Sequence, residues 1–244
     1  MRKYLLFRLH GPLASWGDIA VGEVRPSFVH PGKSTILGLV AAAMGVTRSR
    51  ENEHTLLDRA LRYAVRVDAP GTLLRDYHTI QVPKAKKGQS YASRKEELET
   101  DKLNLVTILS TREYRCDTVY TVCLWTDDSK ADITLSDIAR SLRQPRFTPY
   151  LGRKSCPPSL PFQPQIVEAG TVRDAFLKAR FVDNDFLRKI LESGPRQVFW
   201  EGNLDEGFER QQSITRRDAI LSRKRWQFLD RTEHYAMYDF LGEE

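Results

Sequence analysis

Alternating strand-like and helix-like segments over roughly the first 170 residues predict an α+β fold. Three observations carry that reading. A compact apolar run at 4–9 (YLLFRL) stops at His10-Gly11-Pro12, and a longer apolar run follows at 35–45. Two strand-like stretches, 62–80 and 105–125, are separated by a long polar segment. A capped helical segment at 134–142 then precedes a last short strand candidate at 164–168. Strand, helix, strand, strand, helix, strand is the ferredoxin-like order, which many unrelated chemistries share.

Each element follows from local pattern. The run 4–9 is continuously apolar except for Arg8, as expected of a strand buried on both faces. Ser34 precedes TILGLVAAAMG, so it is a natural N-cap for a helix ending at Gly45 and buried around most of its circumference. Leu56, Leu57, Ala60 and Leu61 stand at helical spacing and predict a second short helix. Residues 62–68 (RYAVRVD) alternate, 72–80 (TLLRDYHTI) form a further strand, and Ala69-Pro70-Gly71 is expected to turn them into a hairpin. Strand pattern resumes at 105–112 and is strong at 118–125. Thr134 with Asp137 three residues on resembles a capping box. Beyond 170 the texture changes: Thr171 and Asp174 could cap one helix, 183–192 could form another, and 197–200 and 234–240 read as strands. The boundaries that follow are 1–168 for the first domain and 169–244 for a smaller α+β region packed on the same body, with no low-complexity linker between them.

The chain has 244 residues, 41% of them hydrophobic, enough to bury a substantial core. Its 38 basic and 32 acidic residues leave a net charge of +6, which permits a polyanionic partner without requiring one. The N-terminus lacks the long apolar core of a signal peptide, and no window approaches the length of a membrane span. Three cysteines in no paired pattern fit a reducing cytoplasm.

The densest chemical pattern is 140–154, RSLRQPRFTPYLGRK. Arg140, Arg143, Arg146, Arg153 and Lys154 occur there without an acid, interleaved with Phe147, Tyr150 and two prolines. Cations beside flat rings suit single-stranded nucleic acid, while the prolines stiffen the backbone into a surface loop. An ordinary solvated loop with its rings folded inward is the competing reading. Within the polar segment 82–104, Lys84, Lys86 and Lys87 precede any acid, and Arg210 to Arg225 form another basic stretch. PGKST at 31–35 resembles the end of a phosphate-binding loop, but Ser27 stands where that motif needs its first glycine. Ser34 as a cap, with Lys33 free to touch some phosphate, accounts for it better. Cys116 and Cys123 are seven apart on strand and should point to opposite faces as inert thiols, and the five histidines have no ligand spacing, so neither metal nor cofactor is expected. Tyr77 and His78 near the lysines supply the residue types of metal-free RNA cleavage, yet neighbours on a strand face opposite ways.

MRKYLLFRLHGPLASWG (1–17), GKSTILGLVAAAMGV (32–46), LRDYHTIQ (74–81), TREYRCD (111–117) and PRFTPYLGRKSCP (145–157) resemble CasD proteins, the fifth Cas subunit of the type I-E CRISPR surveillance complex, Cascade. A fainter likeness at 216–238 extends the match almost to the end, while 82–104 and 168–210 match poorly. The resemblance implies a modified ferredoxin-like (RRM-like) domain whose thumb hairpin is the insertion at about 82–104. It implies a noncatalytic subunit that caps and holds the 5′ handle of CRISPR RNA, contacts the CasC backbone and the large CasA subunit, and works beside target DNA in the assembled complex. Arg146, Arg153 and Lys154 are then expected on handle phosphates, with Tyr150 stacking on or hydrogen-bonding to a splayed nucleotide. Arg112, set apart from Arg115 on the opposite strand face, joins them. Trp16, Arg25, Lys33 and Ser34 are further candidates, with closure of the core the competing reading for Trp16, and Lys84, Lys86 and Lys87 would track phosphate. The enzyme alternative is a metal-independent endoribonuclease using Tyr77, His78 and a thumb lysine.

Overall fold

The computed structural model describes residues 1–20, 22–84, 88, 90–99, 104–126, 133–191, 194–203 and 205–240. In chain order its elements are β1 (Arg2–Ala14), β2 (Val24–Arg25), α1 (Lys33–Met44), α2 (Glu51–Ala60), β3 (Leu61–Ala69), β4 (Thr72–Pro83), α3 (Arg94–Leu98), β5 (Leu105–Thr126), α4 (Leu135–Arg143), β6 (Gln165–Ala169), α5 (Val172–Lys178), α6 (Asp185–Ile190), β7 (Arg196–Trp200), β8 (Gln212–Ser222) and β9 (Gln227–Tyr238). It is a mixed α/β structure on one large, mainly antiparallel sheet. Among the described residues the main path runs β6-β1-β5-β3-β7-β9-β8, with β2 and β4 also pairing with β5.

β5 is the spine. Where the sequence predicts two strands, one strand of 22 residues runs through, with Asp117 at its bend in the left-handed region (φ 55°). Its C-terminal half lies between β1 and β3, and its N-terminal half pairs with β4 from Thr72↔Cys116 to Pro83↔Leu105. The expected 62–80 hairpin does not form, because β3 and β4 both pair with β5 and follow each other along one of its edges. The step between them needs Gly71: its φ is +61°, and a Cβ there would lie 2.0 Å from the Cys116 carbonyl oxygen.

Helices cover both faces of the central sheet, so its strands lose the alternation of a half-exposed sheet. β1 is buried at every position from 4 to 11. On one face Phe7, Tyr63 and Val122 pack with Ile36 and Val40 of α1 and with Ile138 and Leu142 of α4. On the other, Leu6, Ala64 and Trp125 meet Val172 and Phe176 of α5. Thr134 and Thr171 cap α4 and α5 as expected, accepting from the amides of Asp137 (3.1 Å) and Asp174 (3.2 Å). The basic stretch 210–225, which carries no obvious strand pattern, contains β8.

The charged residues on buried strands are paired. Asp68 accepts from Arg66 (2.6 Å), Arg196 (2.7 Å) and the Thr121 hydroxyl. Burial opposes its charge, but Arg66 and Arg196 outweigh that and hold its carboxyl below the ordinary range. A second network joins β8 and β9 to α1. Arg231 donates to Asp218 (2.6 and 3.1 Å) and to Glu233 (2.5 Å). Asp218 also accepts the Lys33 backbone amide at 2.8 Å, capping α1 from another strand. Ser34 is therefore not the cap; the cap position is Gly32. Gly45 ends the helix as expected, at φ +80°.

Replacing Arg231 with Met leaves Asp218 and Glu233 buried without their main cation and should destabilise the fold by about 3–5 kcal/mol in denaturant titration. The acid limb of stability should carry the same signature. Burial would raise the Glu233 carboxyl, but His30, Arg231 and Arg216 bring it down from 4.5 to about 2. A depressed carboxyl contributes stability above its unfolded value, and this is lost as pH falls from 4.5 toward about 2. His30 is lowered by burial, so the unfolded chain takes up its proton first and stability already declines below pH 6.5. Thermal midpoints followed by circular dichroism should fall in that order, and Glu233→Gln should flatten the segment between pH 4.5 and 2.

Candidate nucleic-acid interface

The segment 145–157 is irregular, yet it is pinned at several points. The Arg146 and Phe147 amides donate to the carbonyls of Ala43 (2.9 Å) and Ala42 (3.2 Å) in the last turn of α1. Leu151 accepts from the Ser15 amide at 3.0 Å and donates to Cys156 at 2.7 Å. Leu151 and Cys156 are buried, so the loop has an apolar root. Gly152 sits at φ +87°, where a Cβ would come within 1.8 Å of the Ser15 carbonyl oxygen. Only the root folds inward: Phe147 and Tyr150 remain 41% and 42% exposed. The backbone thus presents Arg146, Phe147, Tyr150 and Lys154 outward from a fixed frame.

Three expected cations meet where this loop approaches β2 and β5. The Arg153 guanidinium lies 4.7 Å from the Tyr114 ring centroid, and its Nη2 reaches the Arg25 carbonyl at 3.4 Å. Arg25 is paired with Arg112 in the β2–β5 ladder. Arg112 and Tyr114 share one strand face, whereas Arg115 falls on the other. Glu113 is engaged by Arg75 at 3.1 Å, and Asp76, opposite Arg112, is engaged by His78. Arg112 has no ion pair among the described residues, which leaves a local excess of positive charge.

On the far side of Tyr150 a cleft of about 930 Å³ opens between α1 and the β8–β9 turn. Tyr150, Ser34, Thr35, Arg217, Arg223 and Trp226 line it. Ser34 thus joins the surface as a wall residue rather than as a cap. Neither Arg223, part of the basic stretch at 210–225, nor Trp226 is a site residue that the sequence points to. Their trace was RKRW at 223–226, but only the fold shows that a tight turn carries it to α1.

Other expectations are corrected. Trp16 is 1% exposed and packs edge-on against Tyr120 at 5.5 Å, so it closes the core. Lys33 turns inward, its ammonium 2.8 Å from Glu201 and 3.0 Å from the Asp58 carbonyl, and is not free for phosphate. Cys123 is buried as expected, while Cys116 is only partly so. Tyr77 is exposed on one face of the β4–β5 ribbon, and His78 hydrogen-bonds Asp76 on the other. Lys84 is exposed near the ribbon's end, and Lys86 and Lys87 lie outside the described residues. Among the described residues no cluster of three or more metal-ligating side chains occurs, and no helix is long and apolar enough to cross a membrane.

Comparison with known proteins agrees with this architecture. Residues 4–232 match the family model described as CRISPR-associated protein (Cas_Cas5). The CRISPR system Cascade subunit CasD of Escherichia coli (strain K12) is 33% identical over 207 residues, covering 82% of this chain and 87% of that protein. A chain of a CRISPR RNA-guided surveillance complex superposes with a TM-score of 0.64 at 26% identity, covering 96% of this chain and 89% of the other. A crystal structure of a Cas protein gives 0.58 at 25% identity, with coverages of 96% and 94%. With the family match spanning nearly all of the folded body, this chain belongs to the CasD/Cas5 family of CRISPR-associated proteins.

Proposed function

We propose that this chain is a noncatalytic RNA-binding subunit of a type I-E CRISPR Cascade complex, which holds and caps the 5′ handle of CRISPR RNA. The observation that carries the reading is the pinned loop that sets Arg153 on Tyr114 beside Arg25 and Arg112, with Arg146, Tyr150 and Lys154 facing outward. Cations held on a rigid frame bind phosphate without a large ordering cost, and an exposed ring beside them can take an unstacked base. On this reading residues 1–168 form a modified ferredoxin-like domain, the β4–β5 ribbon with its connection is the thumb, and 169–244 is a smaller region packed on the same body. CasC and CasA are the protein partners, target DNA lies nearby in the assembled complex, and the cytoplasm is the compartment.

The endoribonuclease alternative requires Tyr77, His78 and a lysine at one scissile phosphate. Opposite strand faces separate the first two, and His78 is engaged by Asp76.

Incubation of the purified protein with labelled repeat RNA in EDTA separates the readings. Tight binding with intact RNA is expected; specific cleavage abolished by His78→Ala would overturn the noncatalytic reading. Arg153→Ala should weaken handle binding by about 1–3 kcal/mol, provided its thermal midpoint shows that the fold survives. Arg112→Ala and Lys154→Ala should each lower the dependence of log K on log salt by roughly one phosphate contact.

A further inference from the structure

Arg223 is unusual among the arginines of this chain. Its guanidinium lies 4.6 Å from the Trp226 ring centroid, against one wall of the cleft. On α1 it sits so close to Gly38 that a Cβ there would be 2.3 Å from its Nη2. Burial lowers its pKa, yet it has no hydrogen bond or ion pair from its guanidinium among the described residues. Most other arginines drawn toward the interior are neutralised: Arg231 by Asp218 and Glu233, Arg66 by Asp68, Arg8 by Asp183. An unneutralised cation in a partly desolvated cleft attracts an anion from solution.

The surroundings narrow the kind of anion. Ser34 and Thr35 of α1 line the same cleft, as does the half-exposed ring of Tyr150, while Arg48 holds Trp226 from 4.3 Å. Three carboxylates also line it. Asp218 is consumed by Arg231 and the Lys33 amide, Asp230 faces Arg217 across the β8–β9 ladder, and Asp18 accepts the Ile19 amide. The volume, about 930 Å³, leaves room for a nucleotide. Gly38 supplies a separate argument. An internal glycine weakens a helix relative to alanine, and its visible use here is to let a guanidinium lie against the helix.

We infer that the cleft between α1 and the β8–β9 turn is a pocket for one nucleotide unit of single-stranded RNA, with Arg223 on its phosphate and Tyr150 beside its base. The inference rests on the RNA-binding reading but places the phosphate contact at Arg223, outside the loop and ribbon. The ligand's chemistry, a phosphate with an attached base, is shared by free mononucleotides.

Trp226 makes the pocket observable. It is 57% exposed, whereas Trp16, Trp125 and Trp200 are buried at 1%, 1% and 0%, so quenching from solution reports mainly on the cleft. The test is tryptophan fluorescence titration with an oligoribonucleotide of the repeat, and with adenosine 5′-monophosphate, alongside RNA-binding isotherms. Saturable quenching is expected in the wild type. Arg223→Ala should weaken the quenching-derived affinity roughly tenfold, as loss of a charge-assisted hydrogen bond does. Gly38→Ala should weaken it too by displacing the guanidinium, while its thermal midpoint is kept or raised because alanine favours helix. Unchanged affinity in both variants overturns the pocket. RNA binding that depends on Arg153 without Trp226 quenching also overturns it and spares the functional reading. Quenching by the mononucleotide without tight RNA binding keeps the pocket, assigns it a free nucleotide, and defeats the functional reading.

Discussion

The contact between Asp218 and the first turn of α1 is the constraint on which the functional surface depends. One carboxylate accepts the Lys33 amide and two bonds from Arg231, while the Lys33 ammonium is spent on Glu201. Those bonds tie the β8–β9 hairpin to a helix that begins about 185 residues earlier in the chain. Burying so many charges is costly, and the arrangement holds only because each has a partner of opposite sign at hydrogen-bond distance. Glycine at position 32 is part of the contact, since a Cβ there would come within 2.4 Å of the Asp218 carboxylate.

With α1 fixed against β8, the two ends of the helix serve different parts of one surface. The C-terminal carbonyls of Ala42 and Ala43 hold the 145–157 loop, and Gly45 leaves room for the Arg146 side chain to pass over it. The N-terminal half forms a wall of the cleft, where Gly38 makes the equivalent space for Arg223. Glycines on or just beyond α1 thus admit charged side chains against backbone at three places. This gives long, flexible cations defined positions, lowering the entropy lost when they bind an anion.

Much of the site was legible from sequence. The interleaving of arginines, aromatics and prolines over 140–154 marked a stiff basic surface before any contact was known, and the separation of Arg112 from Arg115 followed from strand period alone. Lys33 and Ser34 were not legible, because their roles depend on distant partners. Lys33 meets Glu201, the cap expected of Ser34 is supplied by Asp218, and contact with Tyr120 decides for Trp16 between the surface and the core. Arg223 and Trp226 were missed for the same reason, since proximity to α1 is a tertiary fact.

Local chemistry in the sequence determined the types of β1, α1, α2 and α4, the caps at Thr134 and Thr171, the glycine stop at 45 and the basic, aromatic character of the loop. These rest on interactions spanning only a few residues. Tertiary structure alone decided that β3 and β4 follow one edge of β5 rather than forming a hairpin. It also decided that the 105–112 and 118–125 runs are one strand, and which cations stay unpaired. Strand pairing is set by which backbone edges meet, and the availability of a charge by which acid lies beside it. Neither quantity is carried by neighbours in sequence.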